Sequence, residues 1–131
     1  MKNWLKNRDS RGKNFLIGGF FIFLASGIPW WITDYATYSL SSVYTYFSIG
    51  FCLLGSLILA LFTDLKFIEK IGTALVSHMI AFFVKLIQDT LEDKTNHNLF
   101  PFEMAFYLFI DGVGSGVLVM IGTFIRKQIR K

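Results

Sequence analysis

Charge is absent from two long stretches of this chain of 131 residues. Phe15–Ile32 and Tyr35–Thr63 contain no Asp, Glu, Lys or Arg, although 17% of the whole chain is charged. A helix needs about 20 apolar residues to cross the hydrocarbon core of a bilayer, so both stretches qualify as membrane spans. A soluble bundle of fully buried helices is the alternative, but such helices carry polar stripes that these two stretches lack.

Cysteine is also scarce, because Cys52 is the only one in the chain. A single thiol excludes an intramolecular disulfide, and no cysteine spacing typical of a zinc site is present. We therefore expect Cys52 to be a small packing residue, and we predict no cofactor. Hydrophobic residues make up 53% of the chain, which is more than in a typical soluble domain. The frequent Lys, Asn, Ile and Phe are typical of an AT-rich bacterial genome.

The net charge of +4 is concentrated at the two ends of the chain. The basic residues there are Lys2, Lys6, Arg8, Arg11, Lys13, Arg126, Lys127, Arg130 and Lys131. Segments rich in Lys and Arg stay on the cytoplasmic side of a membrane, so we predict that both termini are cytoplasmic. The same clusters suit anionic lipid head groups. Nucleic-acid binding is the competing interpretation, and we do not expect it, because a short basic tail beside a span is an ordinary topology signal.

The alternation of apolar and polar segments predicts one transmembrane domain that covers residues 1–131. Its four spans are expected at about 15–32, 43–62, 71–88 and 99–125. Asp64–Lys70 is the predicted inner turn, and the outer loops Asp34–Ser42 and Leu91–Asn98 together contain only one Lys or Arg. This distribution agrees with cytoplasmic termini. We therefore predict an all-α, integral membrane four-helix bundle in the cell membrane.

The first span ends at Pro29, Trp30 and Trp31. Tryptophan favours the level of the lipid head groups, so we expect this end to mark the outer boundary of the membrane. A cleavable signal peptide is the alternative, since a basic leader, an apolar run and the small residues Ala25–Gly27 follow one another. The apolar run continues through Ile32, which favours an uncleaved anchor.

Small residues recur at intervals of four in the second and fourth spans. The residues that we expect to pack helices closely are Ser48, Cys52, Ser56, Gly112 and Gly116. This spacing lets a second helix approach without large side chains in between. A phosphate-binding loop at the glycines is excluded, because no strand precedes them and no lysine follows the last one.

Four ionisable residues lie within the apolar sequence of the last two spans: His78, Lys85, Glu103 and Asp111. Ionisable residues inside a membrane are costly unless they are paired, and they are candidates for function. A rise of 1.5 Å per residue places His78 and Asp111 each about 15 Å from the outer edge. Lys85 and Glu103 also match in depth. We predict a polar seam with contacts between His78 and Asp111 and between Lys85 and Glu103.

The predicted His78–Asp111 pair has three interpretations. A structural pair would fix the register of two helices, whereas a proton or cation relay would couple protonation to movement. In the third interpretation, Asp111 faces a partner protein. Lys85 is expected to extend its amine outward to the membrane surface.

The second outer loop and its flanks contain the metal-ligating residue types Asp89, His97 and Glu103. Histidine with carboxylates suits zinc or manganese, but the spacing matches no defined site, so we predict no metal. The alternative is a helix start, with Asn98 as N-cap and Glu103 near the positive helix end. No serine or cysteine has an evident base at catalytic spacing, and we predict that the protein is not an enzyme.

One stretch carries a resemblance to a known family, at Tyr38, Ser39, Phe47, Gly50, Leu54, Gly55 and Phe62. With the chain length and the number of spans, this pattern resembles the small YrvL-type regulatory membrane proteins of Bacillus-like bacteria. The resemblance implies a regulator that acts through protein contacts and has no catalytic residues. Small multidrug exporters also have four spans, but they need an acidic residue in the first span, which is absent here.

Two functions remain from the sequence. The first is an accessory or regulatory subunit that binds a membrane or cytoplasmic protein, a class that includes bacteriocin immunity. The second is a small transporter or channel that uses the His78–Asp111 pair for proton or cation coupling, as a homo-oligomer because four short helices enclose little space.

Overall fold

The computed structural model describes residues 2–33, 42–92 and 100–130. This part of the chain is all-helical, and its helices are α1 Lys2–Trp31, α2 Val43–Phe62, α3 Phe67–Glu92 and α4 Phe100–Ile129. Each of the four contains a stretch that is long and apolar enough to cross a membrane. This indicates a multi-pass membrane protein. The outer loops predicted from the sequence lie largely outside the described residues.

Helix α2 has the bounds that its charge-free sequence predicts, and both of its ends are capped. The Ser42 side chain accepts a hydrogen bond from the backbone N–H of Thr45 at 3.3 Å. At the other end, the backbone N–H of Thr63 donates to the carbonyl of Leu59. These bonds satisfy backbone groups that have no partner within the helix.

Helix α3 begins earlier than the predicted span, so the predicted turn Asp64–Lys70 is shorter in the structure. The backbone N–H of Lys66 donates to the Glu69 carboxylate at 2.7 Å. A glutamate at the third helical position stabilises a helix start by accepting from the residue before the helix. The predicted span includes only apolar residues, whereas the hydrogen bonding of the helix continues into the adjacent polar residues. Helix α3 is therefore longer than the span.

The first and third helices lie side by side and run in the same direction. Near the middle of α1, Gly19 lies against Ser77 of α3. Further along, the Trp31 indole N–H donates to the carbonyl of Ala81 at 3.1 Å. Helix α1 also packs against α2, while α1 and α4 occupy opposite corners of the bundle and hardly touch. Helices α2 and α3 make contact across the centre.

The second and fourth helices form the other parallel pair, and they approach each other closely at Gly122. A Cβ atom at Gly122 would lie 2.6 Å from Ala60 Cβ, so only glycine fits there without a shift of the helices. Gly112 has nothing within 4 Å of such an atom, and at Gly116 the nearest atom is Ile71 Cδ1 at 3.9 Å. This close contact on α4 therefore lies about two turns beyond Gly116 and about three turns beyond Gly112.

Both terminal regions lie at the same end of the bundle as the turn between α2 and α3. Arg11 of α1 forms an ion pair with Glu69 at the start of α3. Arg126 near the end of α4 donates to the Thr63 carbonyl and to the Asp64 carboxylate. Arg11 and Arg126 are thus brought to one end of the bundle.

Candidate functional site: the polar core

All four helices contribute a small or ionisable polar residue to the centre of the bundle. These residues are Ser26 of α1, Ser48 and Cys52 of α2, His78 of α3 and Asp111 of α4. Each has a relative exposure of 0%. Polar groups without water must satisfy one another, so their mutual contacts determine what this cluster can do.

A chain of polar contacts runs through the cluster from α4 to α1. The Asp111 carboxylate contacts His78 Nδ1, as expected from their equal depth. On the other side of the ring, His78 Nε2 lies 2.8 Å from the Ser48 hydroxyl. The Ser48 hydroxyl donates to the backbone carbonyl of Ser26. This chain joins the four helices through three side chains and the backbone carbonyl of Ser26, and it fixes their register.

The order of donors and acceptors in this chain determines the orientation of the imidazole. Since the Ser48 hydroxyl gives its hydrogen to a carbonyl, its oxygen accepts from His78 Nε2–H. A neutral imidazole with that tautomer has a lone pair at Nδ1. Nδ1 faces the Asp111 carboxylate, which when ionised also only accepts. A positive centre, either a proton or a metal ion, is required between these two groups.

Trp30 covers one face of the His78 ring. The two ring centroids are 4.6 Å apart and the planes meet at 11°, which is a stacked arrangement. Phe82 and Tyr107 pack edge-on against the indole, with centroid distances of 5.7 Å and 5.1 Å. The Trp30 side chain has no exposed surface and packs inside the bundle, while the outer membrane boundary predicted at this end of α1 stays a prediction. The stack holds the imidazole in one plane.

Cys52 is not only a small residue packed between helices, because it also lies beside the His78–Asp111 pair. Its sulfur, a ring nitrogen of His78 and a carboxylate oxygen of Asp111 all lie within 4.8 Å of one another. The thiol makes a long contact of 3.7 Å with the carbonyl of Ala74. Cys52 is buried as predicted, but its neighbours are a histidine and an acid, which the sequence alone did not reveal.

Two buried polar atoms of the core have no hydrogen-bond partner among the described residues: Trp30 Nε1 and Asp111 Oδ1. Such atoms are rare in protein interiors, so each one needs a structural or functional explanation. Asp111 Oδ1 is the more costly of the two, because it belongs to an acidic group inside an apolar bundle.

Lys85 forms a second buried polar contact on α3. Its amine lies 2.8 Å from Asp89 Oδ1 and also donates to the backbone carbonyl of Thr33. Lys85 and Asp89 both have 0% relative exposure. The prediction that Lys85 extends to the membrane surface is wrong, because an acid one turn away and the Thr33 carbonyl just beyond α1 hold the amine inside. The predicted contact of Lys85 with Glu103, which is half-buried in the first turn of α4, stays a prediction.

The small-residue pattern of α2 lines the bundle interior throughout. Ser48, Cys52 and Ser56 are all fully buried. Ser56 donates to the hydroxyl of Ser115 at 2.7 Å and so joins α2 to α4. Ser115 lies between the two predicted packing glycines and was not singled out from the sequence.

The metal candidates named from the second outer loop do not form a described group. Asp89 pairs with Lys85 inside the bundle, Glu103 lies in α4, and His97 lies outside the described residues. The predicted absence of a metal at this loop is untested.

An apolar groove runs between α1 and α2 on the outside of the bundle. Its volume is about 370 Å³. The residues along its rim include Ile17, Phe21, Phe51, Leu54 and Ile58. The polar core is not part of its lining, so the groove and the His78–Asp111 pair are separate features.

Comparison of the chain with protein-family models, curated proteins and solved structures found no match. Function must therefore be inferred from the site itself.

Proposed function

We propose that this protein is a small bacterial membrane protein that acts as an accessory or regulatory subunit through protein contacts in the membrane. The observation that carries the proposal is the pairing of its core charges within the bundle. His78 pairs with Asp111, and Lys85 pairs with Asp89, all without exposed surface. Buried pairs of this kind fix which helices meet and in what register. The outer faces of the helices are then available to bind a partner protein.

The shape of the bundle supports the same function. A conducting pathway needs polar side chains that line a water-filled passage. The groove between α1 and α2 is lined almost wholly by apolar side chains and lies apart from His78 and Asp111. Contact with another protein requires no such passage. The resemblance to YrvL-type regulators, which stays a prediction, points to the same class of function.

The proposal places both termini in the cytoplasm, because both are rich in Lys and Arg in the sequence and Arg11 and Arg126 lie at the same end of the bundle. Two serines at opposite ends allow a matched test. We expect a membrane-impermeant maleimide to label Ser42→Cys on intact cells and to label Ser10→Cys only after the cells are broken. Cys52 is buried in both variants and provides the unlabelled background. Labelling of Ser10→Cys on intact cells would contradict the orientation.

Photo-crosslinking from one exposed apolar position on each helix tests the accessory role. The positions are Phe21, Leu54, Ile80 and Phe109, which all point away from the core. A subunit that binds a partner through one face should give a single, strongly enriched crosslink in native membranes from one or two of these positions. The other positions serve as controls for random contact. Crosslinks to lipid or to copies of the same chain from all four positions would refute the proposal.

A small oligomeric cation transporter or channel is the second candidate, and the central position of the His78–Asp111 pair favours it. Asp111→Asn separates the two functions, with Ser56→Ala as a control for a lost core hydroxyl. Cation flux into liposomes that Asp111→Asn abolishes while assembly is normal would favour transport. Absence of flux in the unaltered protein, together with a specific crosslinked partner, would favour the accessory role.

A further inference from the structure

We propose that Cys52, His78 and Asp111 form a binding site for a divalent transition-metal ion, and that Zn²⁺ is the ion that these ligands fit best. This site goes beyond the accessory role and does not depend on it. The three ligand atoms lie within 4.8 Å of one another. The residues come from α2, α3 and α4 and are all fully buried, so a bound ion would join three helices.

The spacing of the ligands is close to that of a zinc site. Zinc binds sulfur, nitrogen and oxygen at about 2.0–2.3 Å in a tetrahedral arrangement, which separates its ligand atoms by roughly 3.5 Å. The Cys52 sulfur would have to move inward by up to about 1 Å, whereas His78 Nδ1 and Asp111 Oδ2, which already touch, would have to move apart by a similar distance to admit the ion. Small side-chain rotations supply such a movement, and the fourth position would be filled by water or by a further oxygen atom.

The charges of the ligand set match those of the ion. A cysteine thiolate and an aspartate carboxylate carry two negative charges, and a neutral imidazole adds none. With Zn²⁺ the site is neutral, which suits the apolar interior of the bundle. Asp111 Oδ1 supports the proposal independently, because it is fully buried and lacks a hydrogen-bond partner within the described ranges. A metal ion would give the Asp111 carboxylate the bonding partner that it lacks within the protein.

The surroundings of His78 resemble the second shell of a metal site. A metal-binding histidine donates its other ring N–H to a nearby oxygen, which fixes the tautomer. Here Ser48 accepts from Nε2–H at 2.8 Å, and the Nδ1 lone pair is left towards Asp111. Trp30 stacks on the ring and holds its plane. Both contacts would prepare the imidazole as a ligand before the ion arrives.

The mixture of sulfur, nitrogen and oxygen selects the class of metal. Mg²⁺ and Ca²⁺ prefer oxygen ligands only, whereas a thiolate with an imidazole suits Zn²⁺. Co²⁺ accepts the same ligands and has visible and near-ultraviolet absorption, so it is a suitable probe. Since none of the three ligands is exposed, the ion has to be present while the helices assemble.

The test uses the full chain, without a polyhistidine tag, unfolded in dodecyl sulfate with a chelator and refolded into lipid nanodiscs with Co²⁺. Cys52 is the only cysteine, so a thiolate-to-cobalt charge-transfer band reports on this site alone. We expect one Co²⁺ per chain, displaced by an equal amount of Zn²⁺. The band should vanish in Cys52→Ser, and affinity should fall at least about 10-fold in His78→Gln and Asp111→Asn.

Two matched controls should keep the full band and affinity. His97→Gln removes the only other histidine of the chain, and Ser56→Ala removes a core hydroxyl one turn from Cys52 on the same face of α2. Quenching of tryptophan fluorescence by Co²⁺ gives a second readout, because Trp30, one of the three tryptophans of the chain, stacks on His78. The proposal is overturned if the unaltered chain refolds with its native helical circular dichroism but shows neither the band nor the quenching. It is equally overturned if His78→Gln and Asp111→Asn bind Co²⁺ as tightly as the unaltered chain.

Discussion

Gly122→Ala should loosen the bundle strongly although it adds a single methyl group. The new Cβ would lie 2.6 Å from Ala60 Cβ and 3.3 Å from the backbone oxygen of Leu57. Carbon atoms normally approach to about 3.5–4.0 Å, so α2 and α4 would have to separate by roughly 1 Å. Neither a methyl group nor a backbone atom can rotate away. Overpacking of this kind costs about 1–3 kcal/mol of unfolding free energy.

Gly112→Ala is the matched control on the same helix. No atom lies within 4 Å of its added methyl group, and alanine favours a helix over glycine by about 0.8–1.0 kcal/mol. Both substitutions gain this helix propensity, so the two variants should differ in unfolding free energy by the overpacking cost, about 1–3 kcal/mol. At about 1.4 kcal/mol per factor of ten, this corresponds to roughly 5- to 140-fold in the unfolding equilibrium constant.

The assay is unfolding in mixed micelles with an increasing fraction of dodecyl sulfate, followed by circular dichroism. The double variant Ala60→Gly with Gly122→Ala moves the methyl group from α2 to α4 and should regain much of the lost stability. Equal stability of Gly122→Ala and Gly112→Ala would refute the close crossing at Gly122. Strictly additive effects of Ala60→Gly and Gly122→Ala would show that the two positions do not touch.

Three further predictions concern buried polar groups. Lys85→Met removes the buried ion pair between Lys85 and Asp89 and should lower the unfolding free energy by about 3–5 kcal/mol in the same assay. An unchanged unfolding midpoint would contradict the burial of this pair. Arg126→Gln should cost only about 1 kcal/mol, since Asp64 is largely exposed and water screens the pair, with Lys127→Gln as the neutral control. The Cys52 thiol should resist maleimide in native bilayers and react only after unfolding in dodecyl sulfate; rapid labelling in the bilayer would contradict its burial.

The elements of the fold that follow from apolar length were predictable from the sequence. Helix α2 has the predicted bounds because the charge-free run ends at Thr63 and Ser42 caps the start of the helix. The contact between His78 and Asp111 follows from helical rise, since both residues lie at the same distance from the same end of the bundle. The depth of a residue along a helix follows from the number of residues to the helix end, so this contact was predictable from the sequence.

Contacts that depend on helix rotation were not predictable in the same way. Several small residues of α4 have suitable spacing, but only the rotation of α4 against α2 selects Gly122 over Gly112. The partner of Lys85 had a local signal, because Asp89 lies four residues later on the same face. The general tendency of a lone lysine to extend to the membrane surface favoured the wrong prediction for Lys85.

Trp30 and Cys52 show a further reason why the site was incomplete from sequence. Tryptophan is most frequent at membrane boundaries, so a frequency-based interpretation placed Trp30 there, whereas its stacking on His78 is a specific tertiary contact. Cys52 belongs to a small-residue pattern that explains its burial sufficiently. Its closeness to His78 and Asp111 depends on the arrangement of three helices, and residue spacing within one or two helices does not predict such an arrangement.

The parallel pairing of α1 with α3 and of α2 with α4 has a consequence for biosynthesis. The first hairpin supplies Ser26 and Ser48 to the core, while His78 and Asp111 come from the second. A ribosome-bound chain that has released only three helices into the bilayer holds His78 without its acid. The two hairpins thus cannot mature as independent halves, and the core closes only when the last helix leaves the translocation channel. Loss of α4 by premature termination would give an immature protein with an incomplete histidine site, a substrate suited to membrane quality-control proteases.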